Sequence, residues 1–135
     1  MKQVFVDTLY WIAAANPQDQ WYQKAKEATQ NLRSVNLVTT EVVLIELLNF
    51  FSSYKAATRE AIAQNVRDII AAPNIEVVYQ SYDLFNAGLT LYEQRLDKGY
   101  SMVDCISMVV MRDRSLTEVL THDQHFNQEG FTILL

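Results

Sequence analysis

The sequence has few of the residues that build disulfide frameworks or flexible linkers. Its single cysteine excludes an internal disulfide and fits a reducing compartment. Three glycines and two prolines are too few for long flexible linkers, and neither a low-complexity tract nor an internal repeat is present. We therefore expect one domain spanning residues 1–135.

Long apolar runs are also missing. The two longest, residues 42–51 and 102–111, are too short to span a bilayer, and each contains an acid. The N-terminal segment is apolar only briefly, because Asp7 interrupts it before the apolar region of a secretory signal is complete. We expect a cytoplasmic protein that does not contact a membrane.

The sequence also lacks an excess of positive charge. Eleven Lys and Arg residues face sixteen Asp and Glu residues, for a formal net charge of −5. This balance argues against a protein that coats nucleic acid through bulk positive charge. It leaves room for a nuclease, because metal cations can invert the local field of an acidic pocket.

Half of the residues are hydrophobic, which is enough for a substantial core, and they fall into alternating strand-like and helix-like segments. The strands are predicted at residues 2–6, 35–40, 75–79, 118–122 and 131–135. The helices are predicted at residues 8–15, 19–34, 41–55, 58–72, 83–98 and 101–114. This alternation predicts an α/β domain with a mostly parallel sheet of four to five strands and helices on both faces.

Functional sites of such sheets lie outside the carboxyl ends of the strands, and two acids are predicted there. Asp7 ends the first strand, and Asp123 follows the fourth. Each also has a structural explanation, since Asp7 can cap the following helix and Asp123 can start a turn. Taken singly, neither residue decides between the two explanations.

Two further acids lie on largely apolar helices. Glu46 shares a helix face with Asn49, which marks either a solvent-facing edge or the wall of an acidic pocket. Glu41 is a rival to Glu46, but it falls in the first helical turn, where capping explains it. Asp104 is the third residue after Ser101, so the pair predicts a capping box, and the helix dipole adds about 0.3–1 kcal/mol.

All four acids lie at strand ends or within apolar helices, and capping of one of them does not explain this shared pattern. Carboxylates that converge on one cleft repel each other and raise each other's pKa values. Mg²⁺ or Mn²⁺ relieves this repulsion, whereas Cys105 and the two histidines lack a recognised zinc spacing. Metal ions held by several acids suit phosphodiester hydrolysis.

In this order, four segments resemble the acidic motifs of the PIN domain across essentially the whole chain: "VFVDT", "TTEVVLIELLN", "YSMVDCISMVVM" and "VLTHDQHF". The sequence is similar to small single-domain bacterial PIN proteins, which include the VapC-type toxins. The resemblance implies a three-layer PIN-like fold and a Mg²⁺- or Mn²⁺-dependent endoribonuclease. It also implies an RNA substrate, a homodimer and a cognate antitoxin that occupies the active-site groove.

Carried over by position, the resemblance makes four residues the metal-binding and catalytic acids: Asp7, Glu46, Asp104 and Asp123. The hydroxyl residues expected to support them are Thr8, Ser101 and Thr121. His122 stands where the family more usually has a small residue. Together with Asn49 it is a weaker candidate for substrate binding, and His125 is weaker still.

Two alternatives stay open. One is a PIN-fold binding or regulatory protein with little or no nuclease activity, against which the retention of all four acids argues. The other is a haloacid-dehalogenase-like phosphatase, which needs a second Asp where this chain has Leu9. Six basic residues are candidates for an RNA-facing rim: Lys55, Arg59, Arg95, Lys98, Arg112 and Arg114.

Overall fold

The computed structural model describes residues 2–32 and 34–135. Residue 33, which falls within the helix predicted at 19–34, is outside the described residues. The strands within them are β1 (Gln3–Val6), β2 (Asn36–Thr40), β3 (Ile75–Val78), β4 (Glu118–Leu120) and β5 (Thr132–Ile133). The helices are α1 (Thr8–Ala15), α2 (Tyr22–Asn31), α3 (Glu41–Phe50), α4 (Ala56–Ala71), α5 (Tyr82–Gln94), α6 (Met102–Asp113) and α7 (Gln124–Gln128).

The five strands form one parallel sheet in the order β3-β2-β1-β4-β5. Strand β1 lies at the centre, where Phe5 is in register with Val38 of β2 and Val119 of β4. Val4, Phe5 and Val6 are all fully buried. Successive strand residues point to opposite faces, so helices cover both faces, as a run of consecutive apolar residues predicts. The α/β fold expected from the sequence is confirmed.

Close packing between α5 and α6 fixes the helix that carries Asp104. Gly88 of α5 faces Ile106 of α6, and a Cβ atom built on Gly88 would lie 2.8 Å from the Ile106 Cγ1 atom. A side chain there would push the two helices apart. Glycine at position 88 therefore allows α6 to approach α5 closely.

The structure differs from the sequence prediction at several boundaries. Helix α2 begins at Tyr22 rather than at residue 19, because Asp19 accepts a hydrogen bond from the backbone N of Trp21 (2.8 Å) and holds a turn. The fourth strand ends at Leu120, so Thr121 and His122 lie beyond it. Helix α7 was not predicted, since five residues are too few to show a helical period.

None of the helices in residues 2–32 and 34–135 has both the length and the apolar character that crossing a membrane requires.

Candidate active site

A pocket of about 570 Å³ lies where β1, α3, α6 and the segment after β4 meet. This volume is within the range of small-molecule sites, about 300–1,000 Å³. Its polar lining consists of Asp7, Thr8, Glu46, Asn49, Ser101, Asp104, Asp123 and His125. The structure thus brings together all four acids singled out in the sequence, although they span almost the whole chain.

Asp7 is buried at the carboxyl end of β1, with 3 % of its surface exposed. Burial raises the pKa of its carboxyl to about 7, the Thr121 hydrogen bond opposes the rise, and the nearby Asp104 adds to it. Asp7 occupies the N-cap position of α1, but its side chain makes no capping hydrogen bond. Helix capping therefore does not account for Asp7.

Thr121 links two of the acids. Its Oγ1 donates a hydrogen bond to Oδ2 of Asp7 (2.9 Å) and accepts one from the backbone N of Asp123 (3.1 Å). The threonine does not line the pocket itself, but it fixes the Asp7 carboxylate and the backbone of Asp123 relative to each other. Asp123 in turn caps α7, since its Oδ1 accepts from the backbone N of His125 (2.9 Å).

Asp104 takes part in the capping box that the sequence predicts. Ser101 Oγ accepts from the backbone N of Asp104, and Asp104 Oδ2 accepts from the backbone N of Ser101, both at 3.0 Å. Burial raises the pKa of Asp104, the Ser101 backbone N–H opposes the rise, and Asp123 adds to it. The capping box fixes the start of α6, but it does not fully offset the burial of the carboxylate.

Glu46 and Asn49 line the pocket from α3, and Glu46 is half-buried. Glu41, the rival candidate, makes a structural contact instead, because its Oε1 accepts from the backbone N of Gln80 (2.9 Å). This bond ties the start of α3 to the segment after β3. The structure therefore favours Glu46 over Glu41 as the pocket acid.

The two histidines occupy different environments. His122 does not line the pocket; its ring stacks on Trp21 with centroids 4.3 Å apart and planes at 6°. Burial lowers the pKa of His122, and Asp19 opposes that change. His125 lines the pocket beside Asp104 and Asp123. The sequence analysis ranked His122 above His125. The one sequence feature that could have favoured His125 is its position two residues after Asp123, at the start of a short helix.

The chemistry of the lining fits a divalent cation. Among the described residues that line the pocket none is Lys or Arg, so no protein cation there offsets the four acids. Ligand atoms of Asp104, Asp123 and His125 lie within 4.8 Å of one another, a spacing at which a single ion can bind all three. Thr8 Oγ1 and His125 Nδ1 are buried without a hydrogen-bond partner in the described part of the chain, so both remain available to a ligand.

A protein-family model and characterised relatives both match nearly the whole chain. Residues 4–131 match the model of the PIN domain family. The chain is 28% identical over 131 residues to proteins from two Mycobacterium tuberculosis strains, CDC 1551 / Oshkosh and H37Rv, each described as "23S rRNA-specific endonuclease VapC20"; the match covers 95% of this chain and 95% of each relative.

Solved structures agree on the fold. The crystal structure of Mycobacterium tuberculosis VapC20, described as a sarcin–ricin loop cleaving toxin, superposes with a TM-score of 0.85 at 24% identity, covering 96% of both chains. FitAcB from Neisseria gonorrhoeae superposes with a TM-score of 0.71 at 14% identity, covering 98% of this chain and 96% of that one. At these identities the likeness concerns the fold alone.

Proposed function

The chain belongs to the PIN domain family, and from that premise we propose that it is a metal-dependent endoribonuclease that hydrolyses RNA phosphodiester bonds. One observation carries the proposal: four carboxylates converge on a single pocket whose described lining contains no Lys or Arg. Burying carboxylates without a neighbouring protein cation costs free energy, and such arrangements are typical of functional sites.

We propose that Asp7, Glu46, Asp104 and Asp123 hold Mg²⁺ or Mn²⁺. A bound divalent cation lowers the pKa of water and stabilises negative charge on the phosphate and on the leaving oxygen. The protein contributes the orientation of the carboxylates. Thr121 fixes Asp7 through the 2.9 Å hydrogen bond to its Oδ2, and Ser101 fixes Asp104 through the capping box.

Substrate binding is proposed on the apolar side of the same pocket. Leu9, Ile12 and Phe50 line it together with the acids, and 48 % of the surface of Phe50 is exposed. Exposed aromatic rings stack on unpaired bases, and Asn49 adds an amide that can hydrogen-bond to RNA. The description of VapC20 as a 23S rRNA-specific endonuclease supports RNA rather than DNA as the substrate.

The test is cleavage of two labelled RNAs in the presence of Mn²⁺ or Mg²⁺: a 23S rRNA fragment that contains the sarcin–ricin loop, and an unrelated structured RNA. We expect cleavage by the wild type and none by Asp7→Asn or Glu46→Gln. Glu41→Gln is the matched control, since it removes an acid from the same helix as Glu46 but outside the pocket.

Each outcome of this assay is informative. Cleavage that persists in Asp7→Asn would indicate a contaminating nuclease. Absence of cleavage by a folded, metal-loaded wild type on both RNAs would favour a binding or regulatory PIN protein. Cleavage of the sarcin–ricin loop alone would extend the likeness to VapC20 from fold to substrate.

We further propose that the chain is the cytoplasmic toxin of a toxin–antitoxin pair, as the names of its relatives suggest. A short reading frame next to the gene, whose product inhibits cleavage, would support this. The single cysteine, buried and free, is consistent with a reducing compartment.

A homodimer is proposed through α5. Four exposed apolar residues recur at helical spacing on this helix, and they are Tyr82, Phe85, Leu89 and Tyr92. An apolar stripe of this kind marks an interaction surface, and a second copy presents the same stripe. We expect a dimer mass in light scattering and a monomer for the double change Phe85→Glu and Tyr92→Glu. Ile70→Glu, an exposed apolar site on α4, is the control that should stay dimeric.

A further inference from the structure

The ring of His125 stands directly beside the acids of the pocket. Its Nδ1 lies 3.2 Å from Oδ1 of Asp123 and 3.5 Å from Oδ2 of Asp104. Despite these short distances, Nδ1 makes no hydrogen bond to any described residue, and the atom is buried. A ring nitrogen buried between two carboxylates and aligned with neither is an unusual arrangement, because buried polar atoms nearly always find a partner.

The surroundings hold this ring in place. The backbone N of His125 donates to Asp123 Oδ1, which fixes the first turn of α7. The ring packs edge-on against Tyr100, with centroids 5.4 Å apart at 64°. The Tyr100 hydroxyl donates to Glu129 Oε1 (3.0 Å), so the supporting ring is itself anchored. Nδ1 is therefore held toward the carboxylates by the packing of the fold.

The distances match those of donors that share one ion. Ligand atoms bound to a small divalent cation at about 2.0–2.1 Å lie about 3 Å apart when they are adjacent in its coordination shell. The separations of Nδ1 from the two carboxylate oxygens are close to this value, and the whole set spans less than 4.8 Å. Poor alignment for a hydrogen bond is consistent with a lone pair that is directed to a shared ion.

We propose that His125 supplies a nitrogen ligand, through Nδ1, to the cation held by Asp104 and Asp123, and that this ligand makes the site prefer Mn²⁺ to Mg²⁺. The inference rests on the metal site of the proposed function and deepens it. Mn²⁺ accepts an imidazole nitrogen beside carboxylate oxygens, whereas Mg²⁺ demands near-ideal octahedral geometry and strongly prefers oxygen ligands. The site is thus a mixed one, with carboxylate oxygens and one imidazole nitrogen.

The first test detects the nitrogen directly. Pulsed electron paramagnetic resonance of the Mn²⁺-loaded protein shows a ¹⁴N modulation when an imidazole binds the ion. The chain has only two histidines, so single variants assign the signal. We expect it in the wild type and in His122→Ala, and its loss in His125→Phe, which keeps a ring against Tyr100.

The second test measures affinities of the metals alone, by calorimetry on the metal-free protein. Loss of an inner ligand should weaken Mn²⁺ binding by about tenfold or more in His125→Phe, since even outer contacts contribute about 10–100-fold. Mg²⁺ binding should change by less than about threefold, because Mg²⁺ gains little from a nitrogen ligand. His122→Ala should leave both affinities unchanged, since His122 stacks on Trp21 outside the pocket.

Several results would overturn the proposal. They are Mn²⁺ binding without a ¹⁴N modulation, a modulation lost in His122→Ala instead, and equal losses of Mn²⁺ and Mg²⁺ affinity in His125→Phe. If His125→Phe does not fold, the wild type and His122→Ala still decide whether His125 is the ligand. Neither test measures RNA cleavage, so a nitrogen signal in a protein that cuts no RNA would contradict the proposed function and leave this inference standing.

Discussion

The carboxylate of Glu129 and the four acids of the pocket lie in opposite electrostatic environments. In the Glu129 cluster, formed by Arg95, Tyr100, Arg112 and Glu129, the glutamate side chain is only 5 % exposed, and its carboxylate accepts hydrogen bonds from both arginines and the tyrosine. Burial raises the pKa of Glu129, but the hydrogen bonds from Arg95, Tyr100 and Arg112 together outweigh it, so the pKa lies below its ordinary value. The chain itself neutralises this acid.

In the pocket, burial outweighs the interactions that favour the charged carboxylates. Asp7 and Asp104 both have raised pKa values, chiefly because they are buried, and the described residues that line the pocket include no Arg or Lys. Arg95 and Arg112, which the sequence suggested for an RNA-facing rim, are engaged by Glu129 instead. The difference separates an acid that serves the fold from the acids that the proposed function assigns to a metal cation.

The largest effect is expected from Asp104→Asn. This change keeps a side-chain oxygen for the Ser101 backbone N–H but removes the charge that would hold the metal. Loss of a metal ligand should lower cleavage by more than about 100-fold, beyond the range of changes to supporting residues. Steady-state cleavage rates measure the effect, and thermal unfolding should show no loss of stability. A variant that unfolds more easily and cleaves normally would make Asp104 a structural acid like Glu129.

The pH dependence of stability should reveal Asp7 in metal-free protein. Its pKa is raised from 3.8 to about 7 in the folded state, so the folded protein binds a proton more tightly than the unfolded chain. Unfolding free energy should therefore fall as the pH rises from about 4 to 7, by up to about 4 kcal/mol.

The check on Asp7 is denaturant unfolding with a chelator at several pH values, for the wild type and Asp7→Asn. The variant has no charge to bury at position 7, so it should lose the part of this fall that Asp7 contributes and be the more stable protein at pH 8. Parallel pH profiles for the two proteins would show that the Asp7 carboxylate is compensated after all.

Glu129→Gln should destabilise the protein at neutral pH, whereas Asp7→Asn should stabilise it. Removing the negative charge leaves two arginines without their partner, and we expect a loss of about 1–3 kcal/mol, below the value for a fully buried pair because both arginines are partly exposed. Because the pKa of Glu129 is lowered, its contribution is present above its ordinary value of 4.5 and is lost as the pH falls below that value.

Denaturant unfolding at pH 7 and at pH 3 tests this contribution. Glu76→Gln is the matched control: it breaks the pair with Arg114, in which the glutamate is far more exposed than Glu129, and should cost less than about 1 kcal/mol. Equal losses in the two variants at pH 7 would remove the distinction between a neutralised buried acid and an ordinary surface ion pair.

The smallest effect is expected from His122→Ala. It removes the stack on Trp21, which is worth about 0.5–1.5 kcal/mol. Cleavage should change by less than about threefold, because His122 lies outside the pocket lining. Chemical denaturation and cleavage rates measure the two quantities. A loss of cleavage comparable to that of Asp104→Asn would move His122 into the candidate site and restore the ranking made from sequence.

Much of the fold is predictable from the chain because its signals are local. Buried parallel strands show as short apolar runs, and the capping box shows as Ser101 followed by Asp104 three residues later. Helix α7 was missed because a five-residue helix carries no period, and α2 begins late because Asp19 forms a turn with Trp21. Boundaries depend on such side-chain contacts, which composition does not reveal.

Sequence alone determined the α/β class and the four acids worth attention, since strand ends and acids within apolar helices are features of neighbouring residues. Only the tertiary structure decided which side chains share a pocket. Thr121 supports Asp7 across 114 positions, and Arg95 neutralises Glu129 across 34. Contacts over such separations arise from the packing of the sheet and its helices, and that packing placed His125 rather than His122 beside the acids.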